Sequence, residues 1–221
     1  MASPTLHNSI TQYASIIAGD KNKIQNANYA TIGGGSENEI TSGSSRASIL
    51  GGNSNKITST ETGGTGGGTG GSTGASIVGG DGNLITGTGD VSQYSFIGGG
   101  FQSEILSSGY AGILGGLENQ ITGSDNSIIV GGLRNTLSTS TAAAILAGRN
   151  NEVINVAYST IGGGYNNKIH HQTGNTNSYN FIGGGQGNSI TGSGIQYSSL
   201  LGTQDSTIIE SVNSSIAGGR Q

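Results

Sequence analysis

A ten-residue template recurs along this sequence and constrains its fold more than any other feature. Its clearest copy runs from Ser48 to Ile57 and has the form x-Ile-φ-Gly-Gly-x-x-Asn-x-Ile, in which φ is apolar or Gly. Copies begin near residues 15, 31, 48, 76, 96, 112, 128, 144, 160, 181, 199 and 215, and neighbouring copies are most often 16 residues apart. Repetition at a short period is typical of a solenoid, in which each repeat packs on its neighbours.

The residue types of the template favour strands and turns. Repeated Gly pairs oppose a helix, and β-branched Ile favours extended structure. The sequence therefore predicts an all-β fold, a parallel β-solenoid or β-roll of about twelve coils with about 16 residues each. We expect a single repeat domain over residues 1–221, with loop excursions at residues 58–74 and 170–178, where the spacing between copies is longer.

Alternation along each strand assigns side chains to the interior or the surface, because successive side chains point to opposite faces. The small residue before each template, the Ile at place 2 and the first Gly should face inward, and the Ile at place 10 should form a second interior column. The Asn at place 8, as in Asn38 and Asn55, is expected to hydrogen-bond along the stack. Opposite charges at place 9 of consecutive copies, Lys23, Glu39 and Lys56, predict ion pairs between stacked coils.

The outward face of the first strand is unusually apolar. A Tyr often stands two places before the template, and place 3 is usually Ile, Leu or Val; where it is Gly, place 1 is Phe or Thr. A strand that is apolar on both faces is normally buried on both, so we expect this outward stripe to be a subunit interface. Its members are Tyr13, Ile17, Tyr29, Leu50, Val78, Tyr94, Phe96, Tyr110, Leu114, Val130, Leu146, Tyr158, Phe181 and Leu201.

Composition argues against several classes of protein. The chain has 44 Gly, 1 Pro and no Cys, and only 9% of its residues are charged. Without Cys there is no disulfide and no thiolate metal site. The net charge of −4 gives no basic footprint for nucleic acid. No apolar run is long enough for a membrane helix, so we expect no membrane insertion, and no signal peptide is visible in this chain.

Motifs of known chemistry are not apparent in the sequence. His170 and His171 have no cluster of carboxylates beside them and are interpreted as loop residues rather than metal ligands. The 12 acidic residues are scattered, whereas a polysaccharide-cleaving solenoid needs paired carboxylates. An ice-binding face needs a regular Thr array, and the one that includes Thr41 and Thr58 is interrupted, for example by Leu106. We therefore expect no enzyme activity, no catalytic residue, no cofactor and no metal.

Two segments carry a resemblance to a known family. Residues 47–55, with the sequence Ala-Ser-Ile-Leu-Gly-Gly-Asn-Ser-Asn, and residues 158–167 resemble the YadA-like head repeats of trimeric autotransporter adhesins and of some phage fibre proteins. The resemblance covers nearly the whole chain. It implies a left-handed parallel β-roll that packs as a trimer and serves in adhesion or as a fibre shaft.

The two ends of the sequence suggest a different assembly. Arg220 and Gln221 fill the two free places before a template Asn, and Asn8 with Ile10 resembles the end of a template. Together with Ile216 these residues predict an end-to-end interface that completes one coil between subunits. A head-to-tail contact that does not close gives an open filament, in which twelve coils spaced about 4.8 Å apart would make each subunit about 58 Å long.

The sequence thus predicts a non-enzymatic structural fibre protein that is extracellular, on a cell surface or part of a virion. Its main partner should be another copy of itself in a head-to-tail filament. The alternative is a trimeric adhesin or phage tail-fibre segment that binds a cell-surface glycan or receptor. No nucleic-acid partner is expected.

Overall fold

The structure is a computed structural model that describes residues 5–6, 12–41, 43–59, 72–87, 93–172 and 176–220. Every regular element in these ranges is a β-strand. The chain divides into two compact units, Met1–Gly115 and Gly116–Gln221, and both contain the same kind of coil.

In the first unit the strands alternate between two parallel sheets. The Gly-side sheet holds the strands that lead into the Gly pair: Ser15–Ile16, Thr31–Ile32, Ser48–Ile49, Ser76–Ile77, Phe96–Ile97 and Gly112–Ile113. The Asn-side sheet holds Thr5–Leu6 and the strands that follow the template Asn or its replacement: Lys23–Gln25, Glu39–Thr41, Lys56–Ser59, Leu84–Gly87 and Glu104–Leu106.

The second unit repeats this arrangement. Its Gly-side sheet contains Ile128–Ile129, Ala144–Ile145, Thr160–Ile161, Phe181–Ile182, Ser199–Gln204 and Ser215–Arg220, together with Gly185–Gln186, which pairs with Ser199–Gln204. Its Asn-side sheet contains Gln120–Thr122, Thr136–Ser138, Glu152–Ile154, Lys168–His171, Ser189–Gly192 and Thr207–Ile209. A separate small sheet joins Val156–Ala157 to Thr176–Asn177.

Neighbouring strands pair in the register that the template predicts. Ile32 lies opposite Ile49 in the Gly-side sheet, and Ile24 lies opposite Ile40 in the Asn-side sheet. These side chains are buried completely, and they belong to two interior columns of isoleucine. The structure confirms the predicted all-β parallel β-solenoid, and the chain forms about 11 turns of it. Burial of one large apolar side chain per strand supplies the main stabilising term.

The second Gly of the template occupies a conformation and a space that only Gly fits. Gly35 has a φ of +87°, and a Cβ atom added there would lie 2.1 Å from the carbonyl oxygen of Gly52 in the next coil. The first Gly is less constrained: a Cβ atom added at Gly51 meets no described heavy atom within 4 Å, and Ala18 fills that place in the first copy. The Gly pair therefore sets how closely two coils can approach.

The structure corrects the position of the tyrosines. Alternation places Tyr29 within the strand, on the same face as place 3, but the strand Thr31–Ile32 is only 2 residues long and begins after it. Tyr29 adopts a left-handed conformation with φ +57°, which ends the alternation. Its side chain still points to solvent, from a corner of the coil instead of from the strand.

The register at the start of the chain also differs from the prediction. Ile10 was expected to take the interior place one coil before Ile24, but Leu6 lies opposite Ile24, and Thr5 lies opposite Lys23. Only 14 residues separate Ile10 from Ile24, fewer than a 16-residue coil needs, whereas Leu6 leaves enough chain to complete the circuit. Ile10 itself lies outside the described residues.

The excursions contain more strand than expected. Thr58 and Ser59 belong to the strand Lys56–Ser59, and residues 60–71 lie outside the described part of the chain. His170 and His171 belong to the strand Lys168–His171, and the Thr176–Asn177 strand pairs back on Val156–Ala157.

Candidate functional site

The outward stripe lies on the surface of the coils. Tyr13 is 77% exposed and Ile17 is 70% exposed, whereas Phe96 is half-buried. The remaining exposed members are Tyr29, Leu50, Val78, Tyr94, Tyr110, Leu114, Val130, Leu146, Tyr158, Phe181 and Leu201. Single apolar residues on a surface are ordinary, but here an apolar or aromatic side chain recurs in most coils of each unit, which is typical of an interaction surface.

The tyrosines of the stripe stack on each other in rows. The ring centroids of Tyr13 and Tyr29 are 5.1 Å apart, and the rings are nearly parallel at 13°. Tyr158, Tyr179 and Tyr197 form a longer row, with centroid distances of 4.9 and 5.3 Å. Each residue occupies the same left-handed corner of its coil, so the spacing of the coils sets the spacing of the rings.

The two coils with Phe at place 1 show how side-chain volume is balanced on this face. A Cβ atom added at Gly98 would lie 3.3 Å from the Phe96 ring, and one added at Gly183 would lie 3.3 Å from the Phe181 ring. Each Phe ring thus covers the Gly two residues later, as close packing requires. The face stays covered by apolar atoms whether the large side chain stands at place 1 or at place 3.

Sequence reasoning missed a second surface column, at place 6 of the template. In the second unit Leu117, Leu133, Arg149 and Tyr165 pair in succession as parallel bridges. The Arg149 guanidinium lies 5.7 Å from the centroid of the Tyr165 ring, in the range of a cation–π contact. Place 6 looks like a variable turn residue within one copy, and only a comparison of all copies at the same place could have identified the column.

The place 6 column of the first unit has a different character. Asp20, Ser36, Asn53 and Asp81 are bridged in succession, and Asn53 donates from Nδ2 to Asp81 Oδ1 at 2.9 Å. This corner is polar and acidic, whereas the corresponding corner of the second unit is apolar and basic. The two units therefore offer different chemistry at equivalent places.

The predicted Asn column is present and buried. Asn38 donates from Nδ2 to Asn22 Oδ1 at 3.1 Å and to the carbonyl oxygen of Gly52 at 3.0 Å. Its own Oδ1 accepts from the backbone N–H and the Nδ2 of Asn55. Each described Asn of the column is fully buried, and the side chain links successive coils. This column holds the stack together and is not open to a ligand.

The predicted alternation of charge is also confirmed on the Asn-side sheet. Glu39 accepts from Lys23 Nζ at 2.8 Å, and its other oxygen lies 2.9 Å from Lys56 Nζ. Burial raises the pKa of Glu39, but the hydrogen bonds and charges of the two lysines outweigh that effect and lower the pKa below its usual value. Lys168 pairs with Glu152 at 2.7 Å in the second unit. These pairs are half-exposed and contribute little individually.

The residues of the predicted end-to-end interface are only partly described. Ile216 is half-buried and lies opposite Leu200, and the backbone of Arg220 lies opposite Gln204. Asn8, Ile10 and Gln221 lie outside the described residues.

Groups capable of catalysis or metal binding are not brought together in the described part of the chain. It contains no cluster of three or more His, Asp or Glu side chains that could hold a metal ion. His171 is buried in its strand, while Glu210 accepts hydrogen bonds from the Ser193 N–H and Oγ, which lower the pKa of that carboxyl group. None of the described elements is a helix with the length and apolarity needed to cross a membrane.

The sequence matches no known family model, and no curated protein matches it.

Proposed function

We propose that this chain is a non-enzymatic structural fibre protein, extracellular or part of a virion, whose copies assemble head-to-tail by continuing the β-solenoid from one subunit to the next. The observation that supports the proposal is the common register of the coils: place 2 pairs with place 2, and place 10 with place 10, in successive turns of each unit. Any coil is therefore a template for any other coil with the same backbone path.

The direction of the hydrogen bonds defines how one subunit would meet the next. The N–H at place 3 of each coil donates to the carbonyl oxygen at place 2 of the following coil, as in Ile17 to Ile32 and Val130 to Ile145, both at 3.0 Å. Ala217 stands at place 3 of the strand Ser215–Arg220. By the same geometry its N–H points away from the strand Ser199–Gln204 and toward a coil that follows.

The opposite end of a subunit supplies a matching edge. The strand Thr5–Leu6 occupies places 9 and 10, since it lies opposite Lys23 and Ile24. In the proposed filament Thr5–Leu6 of one subunit pairs with Thr207–Ile209 of the next, and the intervening coil is completed from both subunits. Pairing of these edges also removes unpaired backbone groups that otherwise invite uncontrolled aggregation.

Electron microscopy of the purified full chain over a concentration series tests the proposal, combined with molar-mass measurement by light scattering. We expect unbranched filaments, an average molar mass that rises steeply with concentration, and an axial repeat near the ~58 Å expected for twelve coils. A molar mass that stays at 21.9 kDa at all concentrations contradicts the proposal.

The exposed stripe favours a second candidate, a trimeric adhesin or tail-fibre segment that binds a surface glycan or receptor. In a trimer the stripe is buried between subunits, so Leu146→Lys should dissociate it, while Thr136→Lys on the outward Asn-side face should not. This candidate predicts discrete rods of three times 21.9 kDa that do not elongate. Such a result directs the next experiment to a glycan array.

A further inference from the structure

The distribution of tyrosine over the surface is highly selective. The chain has 8 Tyr residues, and all but Tyr165 stand two places before a template copy. Those seven are Tyr13, Tyr29, Tyr94, Tyr110, Tyr158, Tyr179 and Tyr197, and each adopts a positive φ near 50° at the same corner of its coil. Stacking of the coils therefore brings phenol rings from distant parts of the sequence next to each other.

The rings form three parallel stacks in the described structure. Tyr94 and Tyr110 have centroids 5.4 Å apart, and the Tyr13–Tyr29 and Tyr158–Tyr179–Tyr197 stacks have distances between 4.9 and 5.3 Å. Gly74 leaves room for the first of these: a Cβ atom added there would lie 2.9 Å from the Tyr94 ring. The residues are about half-exposed, so solvent and small oxidants reach the rings.

From this geometry we propose that the tyrosine stacks are sites of oxidative cross-linking, in which adjacent rings join as dityrosine. A one-electron oxidant, hydrogen peroxide used by a haem peroxidase, removes one electron and one proton from each of two phenols. The two phenoxyl radicals combine through ring carbons next to the hydroxyl-bearing carbon. The hydrogens displaced from those carbons restore both hydroxyl groups, and the peroxide is reduced to two molecules of water.

The coil geometry provides the proximity that this coupling needs. A second-order reaction between radicals becomes intramolecular when the rings are held side by side, and effective concentration then replaces bulk concentration. Tyr165 lacks such a neighbour among the tyrosines: it stands at place 6, and its ring lies next to Arg149. Each cross-link would join coils 16 to 21 residues apart, such as Tyr13 to Tyr29 or Tyr158 to Tyr179, and prevent local opening of the stack.

The test is oxidation of dilute full-length protein with a haem peroxidase and hydrogen peroxide, followed by dityrosine fluorescence and peptide mass spectrometry. Cleavage after Lys and Arg separates Tyr158 from Tyr179, because Lys168 lies between them, and separates Tyr13 from Tyr29. We expect linked peptide pairs that have lost two hydrogen atoms, formed in a yield per molecule that does not depend on protein concentration.

Two variants make the test specific. Tyr179→Phe retains the stacked ring but removes the phenol, so the link between the peptides of Tyr158 and Tyr179 should be lost. Tyr165→Phe is the matched control and should leave the yield of every link unchanged. The proposal is overturned if Tyr165 is linked as often as the stacked residues, if all links join different molecules, or if Tyr179→Phe leaves that link unchanged. These outcomes do not depend on whether the protein forms filaments.

Discussion

The side chains of Asn38 and Asn55 are joined across two coils: Nδ2 and the backbone N–H of Asn55 both donate to Oδ1 of Asn38 at 3.1 Å. Asn55 Nδ2 also donates to the carbonyl oxygens of Gly51 and Gly80, and all of these atoms are remote from water. Buried polar groups that lose a partner are costly, by about 1–3 kcal/mol each, although such terms are not additive.

We therefore predict that Asn55→Ala lowers the free energy of unfolding by about 3 kcal/mol. The matched control is Asn53→Ala, which removes the same atoms from an exposed position two residues away and should cost less than about 1 kcal/mol. Urea denaturation followed by circular dichroism measures both. Equal costs for the two variants would show that the Asn column does not stabilise the stack.

The two glycines of one template are predicted to respond differently to the same substitution. Gly35→Ala places a Cβ atom 2.1 Å from the Gly52 carbonyl oxygen in a backbone with φ +87°, and should destabilise by about 3 kcal/mol or more. Gly51→Ala stands at the first Gly place, which Ala147 fills in another copy, and should be nearly neutral. Thermal unfolding separates the two, and a tolerated Gly35→Ala would contradict the close coil spacing.

Thr139 offers a stabilising substitution. It is exposed and has φ +50°, a conformation that a β-branched residue adopts at a cost. Asn26 and Asn155 fill the same place in other coils. We expect Thr139→Asn to raise the free energy of unfolding by about 1 kcal/mol, whereas Thr136→Asn, in an extended strand, should give no gain. A loss of stability in Thr139→Asn would rule out strain at this corner.

Acid should weaken the Lys23–Glu39–Lys56 contact. The two lysines lower the pKa of Glu39 from its usual 4.5, so the folded state favours the carboxylate. The stabilisation is complete above the unfolded-state pKa and is lost as pH falls through the lower folded-state pKa. Unfolding curves from neutral pH to below pH 4.5 should show less of this acid-dependent loss in Glu39→Gln, and also in the double variant Lys23→Gln/Lys56→Gln. An unchanged pH profile in Glu39→Gln would contradict this assignment.

The sequence is sufficient to predict the coil, its two interior columns and its register, because these depend on residues that recur in most copies. Ile32 and Ile49, Asn38 and Asn55, and Lys23 and Glu39 pair as expected. Each of these interactions occurs between equivalent places, so a template fixes both partners at once.

Features that depend on a single copy or on backbone conformation could not be read in the same way. The left-handed corner at Tyr29 breaks the alternation from which its place in a strand was predicted. Leu6, not Ile10, pairs with Ile24, since the circuit length decides between two apolar residues. The column of Leu133, Arg149 and Tyr165 has no common residue type, so only its common place reveals it.

The most direct test of head-to-tail assembly is a proline at the edge that should meet the next subunit. Ala217→Pro removes the N–H that the bonding pattern directs outward, and Ala217→Val retains it. Light scattering over a concentration series, with electron microscopy of the same samples, measures assembly of both variants and of the unmodified chain. We predict filaments for the unmodified chain and Ala217→Val, and particles of 21.9 kDa for Ala217→Pro. Equal elongation of Ala217→Pro would contradict coil completion between subunits.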